Sequence, residues 1–107
     1  MIVKQHYLAL VVLGVFSGAI QAAPIEPTKL YQENCAKCHG ESGAADNWRG
    51  YLYFVPSFRN AEWQAKHSDA ELLEEIDKGP RIMPSFKDSL SAEQKAALVR
   101  VIRGFGR

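Results

Sequence analysis

The sequence predicts a small all-α domain, and three observations indicate this fold class. Two capping boxes, at residues 68–71 and 91–94, each precede apolar residues at helical spacing. Glycine and proline residues separate these segments and mark the loops between them. No strand pattern flanks the cysteine-containing motif at residues 35–39. With 107 residues and 47% apolar side chains, the chain has the size and composition of one globular domain.

The first 22 residues are predicted to be a secretory signal peptide. Lys4 gives a positive start, residues 7–20 are uncharged and largely apolar, and small residues surround the cut after Ala22. Cleavage there leaves residues 23–107 as the mature domain and predicts a bacterial periplasmic location. The alternative is a membrane anchor, but a spanning helix needs about 20 apolar residues, more than this segment offers. We therefore expect no stable membrane insertion after cleavage.

The first half of the mature chain is predicted to contain two short helices and a long loop. Thr28 is expected to cap a first helix that runs toward Cys35. Residues 40–58 are expected to form a loop rich in aromatic side chains, because glycine and proline interrupt their periodicity. Asn60 is expected to cap a second short helix that runs through Trp63.

Two longer helices are predicted in the second half. The first begins at Ser68 and ends at Gly79, and its apolar face consists of Leu72, Leu73 and Ile76. The last helix begins at Ser91, and its apolar stripe consists of Leu98, Val101, Ile102 and Phe105. We expect both apolar faces to pack in the core.

The charge balance argues against a nucleic-acid partner. The chain has 13 basic and 12 acidic residues, which gives a formal charge of +1. Removal of the leader takes away Lys4 and leaves 12 residues of each sign. A nucleic-acid-binding domain normally has a high pI and a basic stripe, which this composition does not provide.

The residues Cys35-Ala36-Lys37-Cys38-His39 form a C-x-x-C-H motif, the attachment signal for c-type haem. Two thiols about one helical turn apart lie on the same side of a helix, so both reach one edge of a porphyrin. The adjacent histidine then lies beneath the ring with its imidazole toward the iron. The motif predicts one haem c per chain, attached to Cys35 and Cys38, with His39 as an iron ligand.

Three other uses of the two cysteines stay open at this point. A thioredoxin-like pair requires strand–helix–strand context. A structural zinc site requires four ligands, and the mature chain has only two cysteines and two histidines to offer. A local disulfide is compatible with an oxidising compartment, although it would close a very small loop and stabilise the fold little.

Met83 is the predicted second iron ligand, because haem iron in electron carriers is commonly held by histidine and methionine. It lies between Pro80 and Pro84 in a stiff, non-helical loop. A methionine used for packing is found more often on a helix face. Two alternatives stay open: Met83 is a loop residue with no role, or His67, which precedes a helix start, is the second ligand.

Together these motifs resemble the class I, single-haem c-type cytochromes over residues 27–105. Leu30–Gly40 is similar to the first helix and haem site of the family, Gly79–Phe86 to its axial methionine loop, and Leu98–Phe105 to its last helix. Two positions depart from the family pattern. Pro27 stands where many members have glycine, and Val101 stands where many have an aromatic residue.

The resemblance implies a small helical bundle wrapped around one haem, with one haem edge exposed for electron exchange. It also implies that the carbonyl of Pro56 accepts a hydrogen bond from His39. With His39 and Met83 in both axial positions, no site is open to a substrate, so the resemblance implies a one-electron carrier and not an enzyme. It implies a monomer that meets donor and acceptor redox proteins transiently.

Two other functions remain compatible with the motifs. One is a haem-bearing subunit of a larger dehydrogenase or oxidase. The other is a haem protein with a labile methionine that binds small ligands or reacts with peroxide. Four basic residues lie near the two motifs, and two interpretations of them stay open: a local rim that steers an acidic partner of the carrier, or a scattered set of solvated charges. They are Lys37, Lys78, Arg81 and Lys87.

Overall fold

The computed structural model describes residues 2, 9–14 and 23–107. Those ranges contain no strand and six α-helices: α1 (Pro27–Asn34), α2 (Ala36–His39), α3 (Trp48–Leu52), α4 (Ala61–Lys66), α5 (Asp69–Lys78) and α6 (Ala92–Phe105). The all-α prediction is therefore confirmed. None of the helices in these ranges is long and apolar enough to cross a membrane. Most of the predicted leader, including the cut after Ala22, lies outside the described residues.

The first helix begins earlier than the sequence predicts. Its N-cap is Glu26, Pro27 occupies the first helical position, and no side chain caps the helix. The prediction of Thr28 as the cap is wrong, because proline at the first turn already lacks the N–H that a cap would bind and has the right φ.

The prediction of a loop throughout residues 40–58 is wrong, because these residues contain a helix. Helix α3 begins after Asn47, whose side chain accepts a hydrogen bond from the backbone N–H of Gly50 at 2.8 Å. Gly50 is buried here, and a Cβ on it would lie only 2.0 Å from the carbonyl oxygen of Ala45. The glycine that looks like a helix breaker is therefore what allows α3 to lie against the preceding loop.

The caps of the later helices agree better with the predictions. Asn60 caps α4, which continues past Trp63 to Lys66, and Ser91 forms a complete capping box with Gln94 at the start of α6. Gly79 ends α5 in the left-handed conformation.

The predicted capping box at the start of α5 is only half formed. The hydroxyl of Ser68 accepts from the backbone N–H of Glu71 at 3.1 Å, as a cap should. The Glu71 carboxylate does not return to the backbone of Ser68. It accepts from the Ser68 hydroxyl at 3.3 Å and lies 3.5 Å from Nδ1 of His67.

The core is formed by the inner faces of α1, α5 and α6 together with two loop phenylalanines. Its buried members are Tyr31, Phe58, Leu72, Ile76, Phe86, Leu98, Val99 and Ile102. Helix α1 packs most extensively against α6, where the rings of Tyr31 and Phe105 lie 5.0 Å apart. The crossing of α1 and α6 thus contains an aromatic contact, although the chain departs from the family pattern at Pro27 and Val101.

Candidate functional site

The C-x-x-C-H motif lies on a tight second helical segment that follows α1 almost directly. Cys35 separates the two helices with φ −123°, and its carbonyl accepts from the backbone N–H groups of Cys38 and His39 at 3.3 and 3.0 Å. The motif residues therefore occupy one helical turn, the spacing that haem attachment requires. Gly40, at φ +80°, then ends the turn.

Three contacts from other segments hold this turn in place. The Tyr31 hydroxyl donates to the carbonyl of Gly40 at 2.7 Å, and the Asn47 amide donates to the carbonyl of Cys38 at 3.2 Å. The backbone N–H of Ala45 donates to the carbonyl of His39 at 2.8 Å. Asn47 thus serves both as the cap of α3 and as a brace for the motif. The sequence reasoning missed this role, although an asparagine just before Trp48 is a helix-start signal.

We expect Tyr31→Phe to lower the free energy of unfolding by about 1 kcal/mol, the typical contribution of one hydrogen bond. The Tyr31 side chain is only 1% exposed, and its hydroxyl is the donor to Gly40 described above. Denaturant titration measures the change. Tyr51→Phe is the matched control, because Tyr51 is 73% exposed and should show no effect. Equal stabilities for the two variants would contradict a structural role for the Tyr31 hydroxyl.

His39 is held as a neutral imidazole in an apolar setting. Its ring stacks on Phe58 with centroids 4.4 Å apart and an interplanar angle of 14°. Burial lowers the pKa of His39 to about 4, so the ring is uncharged at neutral pH and suited to bind a metal. The sequence shows Phe58 only as one of several aromatic residues in the predicted loop at residues 40–58, and it contains no signal that Phe58 contacts His39.

The Nδ1 atom of His39 is buried and has no hydrogen-bond partner among the described residues. The hydrogen bond to the carbonyl of Pro56 that the family resemblance implies is therefore not formed in this structure. Pro56 itself is exposed, in the middle of the loop between α3 and α4. A metal-ligating histidine usually donates a hydrogen bond from its other ring nitrogen, which orients the imidazole. Nδ1 of His39, buried and unpaired here, is available for that role. The donor set at residues 35–39 fits haem.

The two cysteines are free thiols and are not joined in a disulfide. Burial raises the pKa of Cys35 to about 11, so this thiol is protonated at neutral pH. Cys35 packs against the core. Within the described residues no three His, Cys, Asp or Glu side chains lie together as a metal site, so a structural zinc site has no ligand set there.

The Met83 loop folds back over the end of α5. The backbone N–H of Phe86 donates to the carbonyl of Ile76 at 3.0 Å, and the Ser85 hydroxyl donates to the carbonyl of Asp77. Met83 is partly buried and packs against the same core as Cys35. The structure thus places the predicted second ligand and the predicted attachment site on the border of one core.

We expect Gly79→Ala to destabilise the protein, because this glycine makes the return of the loop possible. Its φ is +63°, and an added Cβ would lie 2.4 Å from the carbonyl oxygen of Met83. The left-handed backbone alone costs an ordinary residue about 1–2 kcal/mol, and the contact with main chain adds to this. Thermal and denaturant unfolding measure the loss.

Gly104→Ala is the matched control, because nothing lies within 4 Å of its added Cβ and it sits inside α6. This variant should be as stable as the wild type or slightly more stable. If Gly79→Ala and Gly104→Ala unfold at the same denaturant concentration, the close approach at Gly79 is not needed.

His67, the alternative ligand, lies at the junction of α4 and α5. It is the C-cap of α4, its ring lies 4.7 Å from that of Trp63, and its side chain is 37% exposed. Its backbone carbonyl accepts from the guanidinium of Arg103 on α6.

Comparison with known proteins gives a consistent result. Residues 22–101 match the family model described as cytochrome c oxidase, cbb3-type, subunit III. A solved structure named KustC0563 c-type cytochrome is 42% identical, with a TM-score of 0.71, and the match covers 78% of this chain and 100% of that one. A point mutant of that cytochrome is 40% identical over 76% of this chain and 99% of its own, with a TM-score of 0.69. No curated protein matches the chain at a significant level.

Proposed function

This chain belongs to the c-type cytochrome family described as cytochrome c oxidase, cbb3-type, subunit III, and on that premise we propose that it is an exported single-electron carrier. As a member, it is a haem-bearing electron-transfer protein with a helical cytochrome c fold. The observation that supports the proposal most directly is the C-x-x-C-H turn, with its uncharged, partly buried His39 imidazole against Phe58.

Each residue of the site has a separate role in the proposal. Cys35 and Cys38 hold one haem through thioether bonds, and His39 and Met83 bind its iron. Bound haem supplies one-electron chemistry between the ferrous and ferric states. The two neutral ligands favour the ferrous state and so raise the reduction potential. The apolar surroundings of His39 act in the same direction, since they disfavour additional positive charge.

The proposal includes export and processing. The leader at residues 1–22 would direct the chain across the inner membrane of a bacterium, and cleavage after Ala22 would release the domain of residues 23–107 into the periplasm. The length of the KustC0563 c-type cytochrome supports a domain of this size, because the match covers that whole chain and 78% of this one.

The proposed partners are a donor and an acceptor redox protein, each bound through a small transient interface. Lys37, Arg81 and Lys87 are exposed and available to steer an acidic partner. Lys78 is exposed as well, but its ammonium group is already paired with Glu74 at 2.6 Å, so it contributes less to such a rim.

Expression with its leader in a bacterium that attaches haem to exported proteins tests the proposal. The purified protein should begin at Ala23, contain one haem per chain and titrate reversibly with a single one-electron step. The reduced protein should not take up CO at neutral pH, since both axial positions are filled. A protein without haem, or one whose reduced form binds CO readily, would count against the carrier.

A second candidate is a haem subunit of a larger oxidase, which the description of the matched family favours. Size-exclusion chromatography of native extract separates the two. A free carrier elutes at the size of a small monomer, whereas a subunit elutes with its complex.

A further inference from the structure

Aromatic rings form a continuous line from the predicted haem ligand to the protein surface. His39 stacks on Phe58 at 4.4 Å, Phe58 contacts Trp63 at 5.0 Å, and Trp63 contacts His67 at 4.7 Å, all as centroid distances. These separations are those of rings in direct contact. We call these four residues the aromatic path.

Exposure increases along the aromatic path. Phe58 is 4% exposed and belongs to the core, Trp63 is partly buried against it, and the His67 side chain is 37% exposed. One end of the path is therefore next to the haem site and the other is open to solvent.

The outer end of the path is fixed by contacts with α6. The guanidinium of Arg103 donates to the backbone carbonyl and the side-chain oxygen of Gln64, each at 2.8 Å, and to Asp69 at 2.7 Å. It also donates to the carbonyl of His67. Gln64 in turn donates to the carbonyl of Phe58 at 2.7 Å. This network joins α4, the start of α5 and α6 around the path and restrains the separations between its rings.

We propose that the aromatic path is a second electron-exchange route, which couples the haem iron through His39 to an oxidant or reductant at His67. The inference rests on the proposed ligation of iron by His39. In the oxidative direction, one electron leaves ferrous iron and reduces a one-electron acceptor at His67, and no bond or proton changes place. Electronic coupling between an electron donor and its acceptor weakens steeply across gaps between atoms. Rings in direct contact therefore couple the haem site to His67 more strongly than a route that crosses such gaps would.

The path also gives a use to His67, the one histidine of the mature chain without a place in the haem site. Because His67 lies on the α4–α5 junction, the route does not pass through Met83 or the loop that holds it. A carrier with two exchange points would be able to meet its donor and acceptor on different surfaces.

The experiment attaches a ruthenium–bipyridine complex to His67 of the mature holoprotein. The mature chain has only two histidines, and His39 is occupied by iron in the proposal, so labelling is specific. A flash with a one-electron quencher oxidises the ruthenium, and the rate of electron transfer from ferrous haem is followed by absorbance. We expect Trp63→Leu to slow this transfer several-fold, with an unchanged reduction potential, and Trp63→Phe to recover most of the wild-type rate.

The second tryptophan provides a matched control. Trp48 is 61% exposed and lies outside the aromatic path, so Trp48→Leu should leave the rate unchanged. The proposal is overturned if Trp63→Leu transfers electrons as fast as the wild type, or if Trp48→Leu slows transfer equally. If Trp63→Leu folds poorly, Trp63→Met, which keeps more apolar volume but has no aromatic ring, should show the same slowing. Absence of haem before labelling would instead refute the proposed function itself.

Discussion

Replacement of both Cys35 and Cys38 by serine should give a protein that releases all of its haem on acid–acetone extraction, whereas the wild type should retain it. A hydroxyl does not form the thioether bond, and no other cysteine is present in the chain. The measurement is the absorbance of haem in the protein pellet and in the organic phase.

The double variant should also be much less stable than the wild-type holoprotein. A domain of this size buries a modest share of its surface and often depends on a bound cofactor. Ala36→Ser is the matched control, because it introduces a hydroxyl on the same turn, beside the core, and removes no thiol. Loss of haem from this control, or its retention by the double variant, would refute covalent attachment at the two cysteines.

Met83→Ala should lower the reduction potential and allow CO to bind the reduced protein. Loss of the thioether removes the ligand that favours ferrous iron and opens one axial position. Axial ligands set haem potentials over a range of about 0.8 V, so the change should be readily measurable by redox titration. The CO-difference spectrum reports the open position independently.

His67→Gln is the control that separates the two candidate ligands. If Met83 binds iron, this variant should keep the wild-type potential and remain indifferent to CO. If His67→Gln lowers the potential and Met83→Ala does not, then His67 is the second ligand. Met83→Leu, which preserves apolar volume against the core, shows whether any loss of stability in Met83→Ala comes from packing.

Local signals predicted the parts of the fold whose stabilising contacts lie within a few residues. The capping box at Ser91, the cap at Asn60 and the left-handed end of α5 at Gly79 all formed as expected. The errors came where several outcomes compete within the same few residues, so that the local pattern does not decide between them. Gly50 permits α3 because it packs against Ala45, and Glu71 turns toward His67 instead of completing its capping box.

The environment of the candidate site depended on the path of the loop between the motif and α4. Nothing in the sequence marks Phe58 as the neighbour of His39, and the hydrogen bond from His39 to the Pro56 carbonyl that the family resemblance implies is not formed. Both residues follow α3, a helix that was not predicted, so their positions relative to the motif were not predicted either.

The sequence by itself determined that this is an all-α protein with a C-x-x-C-H motif and a proline-bounded methionine, because each of these signals lies within a short stretch of chain. Tertiary structure alone decided that Cys35 and Met83 border one core. It also decided that the His39 ring touches Phe58 and that a line of rings reaches His67. The physical reason is that Cys35 and Met83, like His39 and Phe58, are distant along the chain, and bringing them together depends on how the loops and helices between them pack.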